Sequence, residues 1–136
     1  LAWWSGLTQK DALRAPELAG PALEKETRDG TTWWWRADAP LPARSRVIHL
    51  LPAFDEYLIG YRDRTPVLDA PHTRRVIGIN GLVAATAVVE GRVVATWKRA
   101  GDTDIARAPL RALADAEHEG IQRAAQRWRR FLGGAR

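Results

Sequence analysis

HLLPAFDEYLIGYRDR, His49 to Arg64, is the stretch on which the reading of this chain turns. An apolar run from Val47 to Leu51 ends at Pro52, and Asp55 and Glu56 then stand side by side among Phe54, Tyr57, Leu58 and Ile59. Two adjacent carboxylates amid that much apolar surface are costly unless cations compensate them. Arg62 and Arg64 follow at once, so Asp55 and Glu56 are read as members of structural ion pairs. Capping of a helix start by Asp55 is a second use, compatible with a helical turn over Ala53 to Leu58. An acid/base pair is the competing reading. It requires both carboxylates to converge on one substrate, whereas sequence neighbours diverge by about 100° on a helix and about 180° on a strand.

Upstream, Thr8 can cap a short helix from Gln9 to about Ala15, with Asp11 at the third helical position and Pro16 and Gly20-Pro21 as stops. Leu23 to Arg28 and Thr31 to Ala37 flank Asp29-Gly30, the preferred pair for a two-residue type I′ hairpin turn. In the strand holding Trp33-Trp34-Trp35, alternation predicts that at least one indole packs into a core. Trp3, Trp4, Trp97 and Trp128 are read as packing residues. Residues 39–46, with Pro40 and Pro42 and little to bury, read as a linker.

Downstream, Val47 to Leu51 reads as a buried strand and Pro71 to Val76 as a short helix. From Leu82 to Arg99 β-branched residues dominate, broken by Glu90-Gly91, which predicts a second hairpin. Asp104 to Ala108 adds a short strand. A helix over about Leu113 to Leu132 carries an apolar stripe that includes Ile121, Ala124, Ala125, Trp128 and Phe131, and stops at Gly133-Gly134.

The 136 residues carry a net charge of +5 and a pI near 10.4, the footprint of a chain that meets nucleic acid or another anionic surface. Without cysteine there is no disulfide and no thiolate zinc site, in keeping with a reducing cytoplasm. No apolar run approaches the length of a membrane span. The chain holds no methionine and begins at Leu1, from which a piece of a longer protein is expected. His49, His72 and His118 share no metal-ligand spacing, and neither a Gly-rich phosphate loop nor a nucleophile elbow occurs. No metal, no cofactor and no catalytic residue is therefore assigned.

LPAFDEYLIGYRDRTPVLD (Leu51 to Asp69) followed by EGRVVATW (Glu90 to Trp97) resembles the C-terminal part of the bacterial winged-helix DNA glycosylase family, the AlkZ-like proteins. WWSGLTQKDAL (Trp3 to Leu13) is similar to the approach to that family's third winged-helix unit. Ala95 stands where a Gly usually precedes Thr-Trp, and a common proline before Thr86 is missing. The resemblance implies tandem winged helices followed by a small β-barrel around duplex DNA, with excision of alkylated or crosslinked bases by some members. It implies an α+β fold here: a partial winged helix over 1–38, the linker, and a small antiparallel β-barrel or curled sheet with a C-terminal helix over 47–136. The family's catalytic motif, Gln, an apolar residue, then Gln or Asp, lies in an earlier winged helix. Gln9, Gln122 and Gln126 begin no such triplet, so no catalytic residue carries over.

What remains is contact with duplex DNA, together with the upstream winged-helix units as intramolecular partners. Phosphate contact needs cations on loops, wings or helix ends. Arg74 and Arg75, and Lys98 and Arg99, are the leading candidates. Arg62 and Arg64 follow, subject to their pairing with Asp55 and Glu56. Asn80-Gly81 is either a turn that enters a groove or a plain hairpin turn. The face bearing Arg123, Arg127 and Arg130 on the last helix is the alternative surface. Two other function classes stand beside DNA contact: a brace for the upstream units that touches no DNA, and a small hydrolytic or ligand-binding barrel built on Asp55 and Glu56.

Overall fold

The computed structural model describes residues 1–40, 47–101 and 104–134. The chain divides into two units, Leu1–Ala43 and Arg44–Arg136. Most of the expected linker, residues 41–46, lies outside the described residues.

The first unit comprises α1 (Ala2–Ser5), α2 (Gln9–Ala19), a 3₁₀ turn (Gly20–Ala22) and a hairpin of β1 (Leu23–Arg28) with β2 (Thr31–Arg36). Thr8 caps α2: its Oγ1 accepts the Asp11 amide at 3.2 Å and donates to the Asp11 carboxylate at 2.6 Å. The helix does not stop at Pro16 but runs through it to Ala19. A proline removes one amide donor, and the helix ends where Gly20 takes a backbone open mainly to glycine, φ 56° and ψ −135°. Asp29 and Gly30 both have positive φ, 48° and 74°, as the type I′ turn demands.

Opposite Glu24 and Glu26 stand Trp35 and Trp33, and opposite Lys25 stands Trp34, whose ring lies 5.4 Å from the Lys25 ammonium. The expectation that one of these indoles packs into a core is not met. None of residues 1–40 is buried, and Trp3, Trp4 and Trp33 are more than half exposed. A two-stranded hairpin has no second layer of its own to close over its faces. Helix followed by hairpin is the order in which a winged helix ends, but that order alone does not define one.

The second unit opens with β3 (His49–Leu51), then α3 (Glu56–Ile59), a 3₁₀ turn (Ala70–His72) and α4 (Thr73–Val76). The meander β4 (Thr86–Val89), β5 (Arg92–Ala100) and β6 (Asp104–Pro109) and the helix α5 (Asp115–Gly134) complete it. The strands form one antiparallel sheet in the order β3-β4-β5-β6. The sheet does not close into a barrel: β3 and β6 are its two edges. The cause is packing on both faces. Leu58, Leu68, Val76, Val83, Val88, Val93 and Leu110 form one buried cluster, with Tyr57 and Val67 against it. Ile48, Ala87, Val94 and Ala95 form a second with Ile121 of α5. A sheet covered by the His49–Val83 segment on one side and by a helix on the other leaves no lumen to enclose.

The register slips between Ala87 and Val88, a bulge of the kind that bends and twists a strand. Of the run Val47 to Leu51, expected to be buried, only Ile48 is, because the strand is an edge. Along α5, Ile121, Ala124 and Ala125 are buried, and Trp128 meets Trp97 edge to face at 5.7 Å. Phe131 is 75% exposed, so the apolar stripe outruns the sheet that it covers. Glu117 fixes the start of the helix. It accepts two bonds from the Arg111 guanidinium, at 2.6 and 2.8 Å, and the Ala114 amide at 2.9 Å.

Candidate nucleic-acid interface

Folding consumes the polar groups of the distinctive stretch. The Asp55 carboxylate accepts the Tyr57 amide at 2.9 Å and caps α3. Arg64 turns inward and donates through Nε to the Leu58 carbonyl at 2.5 Å. Tyr57 Oη donates to the Gly91 carbonyl at 2.6 Å, and burial pushes its hydroxyl pKa up. Arg92 pairs with Asp69 and donates to the Pro66 carbonyl at 3.1 Å, while the Val93 amide donates to Val67 at 2.8 Å. Trp97 Nε1 donates to the Leu51 carbonyl at 2.9 Å. The segments around Leu51, Tyr57 and residues 66–69 are thereby stapled to the β4–β5 hairpin, whose own turn is Glu90-Gly91. Asp63 belongs to a local turn, where the Thr65 amide and hydroxyl hold its carboxyl below the usual range.

Asp55 therefore aims its carboxylate back at its own helix, and Glu56, one position on, is exposed on α3. Consecutive helical positions diverge, so the two do not build a general acid/base pair. His49 is exposed, and among the described residues no group of three His, Asp or Glu side chains could hold a metal ion.

The cations expected to meet DNA are distributed unevenly. Arg74 and Arg75 are exposed neighbours on α4, but Arg75 reaches across to the Pro109 carbonyl at 2.9 Å. Lys98 and Arg99 are exposed on β5, where successive side chains leave opposite faces, so they do not act as one cluster. Arg99 donates to the Gly101 carbonyl at 2.9 Å. Arg62 is exposed beside the inward-turned Arg64. On α5, Arg127 reaches the Ile48 carbonyl at 2.9 Å and Arg123 pairs with Glu119 at 3.3 Å, so the Arg face of the last helix is partly engaged.

Asn80-Gly81 closes a small hairpin between the paired residues Ile77 and Val83. The Gly78 amide donates to Leu82 and the Gly81 amide to Gly78, both at 2.9 Å, and Asn80 Oδ1 accepts the Leu82 amide at 3.3 Å. Gly81 sits at φ 77°. Beside the exposed Asn80, whose Oδ1 is tied into the turn, the turn presents Ile79, which is 98% exposed, with Leu82 at 58%. Sequence reading singled out the polar member and passed over the apolar one. An isoleucine between two residues of turn chemistry was the available signal. Arg107 on β6 and Arg129 on α5 were also passed over.

The family model described as DNA glycosylase AlkZ-like matches residues 1–131. Among solved structures the chain is similar to Streptomyces sahachiroi DNA glycosylase AlkZ, with a TM-score of 0.63 at 21% identity. The match covers 90% of this chain and 36% of that one, so the chain spans little more than a third of its solved relative. Nothing among curated proteins matches.

Proposed function

The chain belongs to the AlkZ-like DNA glycosylase family, and from that premise we propose that it is the non-catalytic C-terminal module of a larger winged-helix protein and grips duplex DNA for it. The observation that carries this reading is the Ile77–Val83 hairpin. Its backbone is held by three internal hydrogen bonds, yet it holds Ile79 almost wholly in water. A rigid turn that exposes an apolar tip has a use against DNA, where apolar wedges enter the minor groove between base steps. Arg74, exposed on the preceding helix α4, supplies a phosphate-seeking charge close by in sequence. The parent protein acts on damaged bases in the bacterial cytoplasm, and its selectivity comes from winged-helix units outside this chain. Residues 1–38 are the C-terminal part of a further winged-helix unit.

A labelled duplex titrated with the chain across a salt series tests the proposal, beside Ile79→Ser and a variant lacking the charges of Arg74, Arg75, Lys98 and Arg99. Log affinity should fall with log salt by about 0.9 per phosphate neutralised. The charge variant should flatten that slope, and Ile79→Ser should weaken binding without changing it. A folded chain that binds no duplex even at low salt would make it a brace for its neighbours. The consumption of the Asp55–Asp69 side chains by internal staples favours that second reading.

A further inference from the structure

We propose that the groove between α5 and the edge strand β6 binds one phosphodiester group, with Arg107 as its principal cation. The groove encloses about 430 Å³ and is lined by Asp104, Ile105, Arg107, Gln122, Gln126 and Arg129 among others. Arg107 is half-buried on β6, opposite Trp97 in the register. Among the described residues no carboxylate or carbonyl takes its guanidinium. Withdrawing a cation from water without a counter-charge is costly, and an anion in the groove would remove that cost.

The charge of the site selects the anion. Arg129 donates to Asp104 at 2.6 Å, and the Ile105 amide donates to the same carboxylate oxygen at 2.8 Å. First that amide and then Arg129 hold the Asp104 carboxyl below the usual range, so it stays ionised and neutralises one of the two guanidinia. The groove is left with a single net positive charge. A phosphate diester carries one negative charge, whereas a phosphate monoester or inorganic phosphate near neutral pH approaches two and would be repelled by Asp104. Gln122 and Gln126 lie one helical turn apart on the same face of α5 and supply amide donors for the remaining oxygens. A fork of two N–H donors on Arg107 suits such an oxyanion better than a lysine would.

That the diester belongs to a nucleic-acid strand rests on the DNA-gripping reading above; the oxyanion chemistry does not. The test uses the whole 136-residue chain. Side-chain Nε–H resonances of arginine are followed by NMR while dimethyl phosphate, and separately inorganic phosphate, is added to the wild type, Arg107→Gln, Arg107→Lys and, at an exposed position of α2, Arg14→Gln. Dimethyl phosphate should shift the Arg107 resonance saturably and more tightly than inorganic phosphate does. Arg107→Gln should abolish the binding, with unchanged thermal unfolding as the fold control; Arg107→Lys should retain a weak remnant, and Arg14→Gln should bind normally. In the duplex titration, Arg107→Gln should weaken binding about tenfold and lower the salt slope by about one contact.

Failure to bind dimethyl phosphate, or tighter binding of inorganic phosphate, overturns the site and leaves the DNA reading standing. Dimethyl phosphate binding through Arg107, with duplex affinity indifferent to Arg107→Gln, overturns the strand as the source of the diester. The same binding with no duplex affinity at all overturns the DNA reading and the strand assignment together.

Discussion

Replacing Glu117 by Gln removes a charge while leaving the shape and the acceptor oxygen at the start of α5. The Arg111 guanidinium, helped by the Ala114 amide, holds the Glu117 carboxyl down to about 2. Taken whole, a displacement of that size is worth about 3 kcal/mol of folding free energy. Glu117 is 17% exposed, but its partner Arg111 is 45% exposed, and screening by water at that end reduces the contribution to about 1–2 kcal/mol. The folded-state value is depressed, so this stability is complete above the ordinary carboxyl range and is lost as the pH falls through about 2. Urea unfolding of wild type and Glu117→Gln should therefore show a gap of about 1–2 kcal/mol at neutral pH. The gap should narrow continuously below the ordinary carboxyl range, down to the lowest pH at which both still fold. The comparison within one background cancels the other carboxylates. A gap that stays constant from neutral to acid pH would refute the ion-pair account and leave only the cap geometry; no gap at neutral pH would refute both.

Further predictions concern single positions. Asp55→Ala should cost about 1 kcal/mol by removing the α3 cap, whereas Asp55→Asn should cost a few tenths; equal losses would mean that the charge matters and the cap does not. Gly120→Ala should destabilise by about 1 kcal/mol despite its better helix propensity, because the new Cβ meets the buried Ile48 side chain. A rise in melting temperature would show that Ile48 yields freely. Thr86 is fully buried and its hydroxyl finds no partner among the described residues, so Thr86→Val should stabilise by about 1 kcal/mol in urea unfolding. A loss there would reveal a hydrogen bond to that hydroxyl.

Local turn chemistry was the most legible part of the sequence. Asp29-Gly30 and Glu90-Gly91 demand positive φ at both positions, and both hairpins form where those pairs stand. The Thr8 and Asp55 caps were readable for the same reason: each is decided within three residues. Barrel closure was not readable, because it depends on whether β3 and β6 pair, a choice made by what covers the two faces rather than by either strand. Burial of the tryptophans failed similarly, since alternation says which indoles share a face and not whether a second layer exists. At the candidate interface, charge counting found Arg74 and Lys98 but could not foresee that Arg75, Arg64 and Arg127 would spend their guanidinia on backbone carbonyls. Arg107 was missed because nothing in its neighbours announces that a cation there will be half-buried.

The pairing of His49 with Val88 also has a consequence in time. β4, β5 and β6 follow one another in sequence with few residues between them, so they can zip together from local encounters. β3 must wait for the long excursion through α3 and α4 to close, which costs more chain entropy before any contact rewards it. It should join last on folding and leave first under load. In native-state hydrogen exchange its amides should open well below the global unfolding energy, while those of β5, flanked on both sides, open only with the whole unit. In chain order β3 is the first strand of the second unit, so a pull applied to the start of that unit would be felt first as a peeling of this edge.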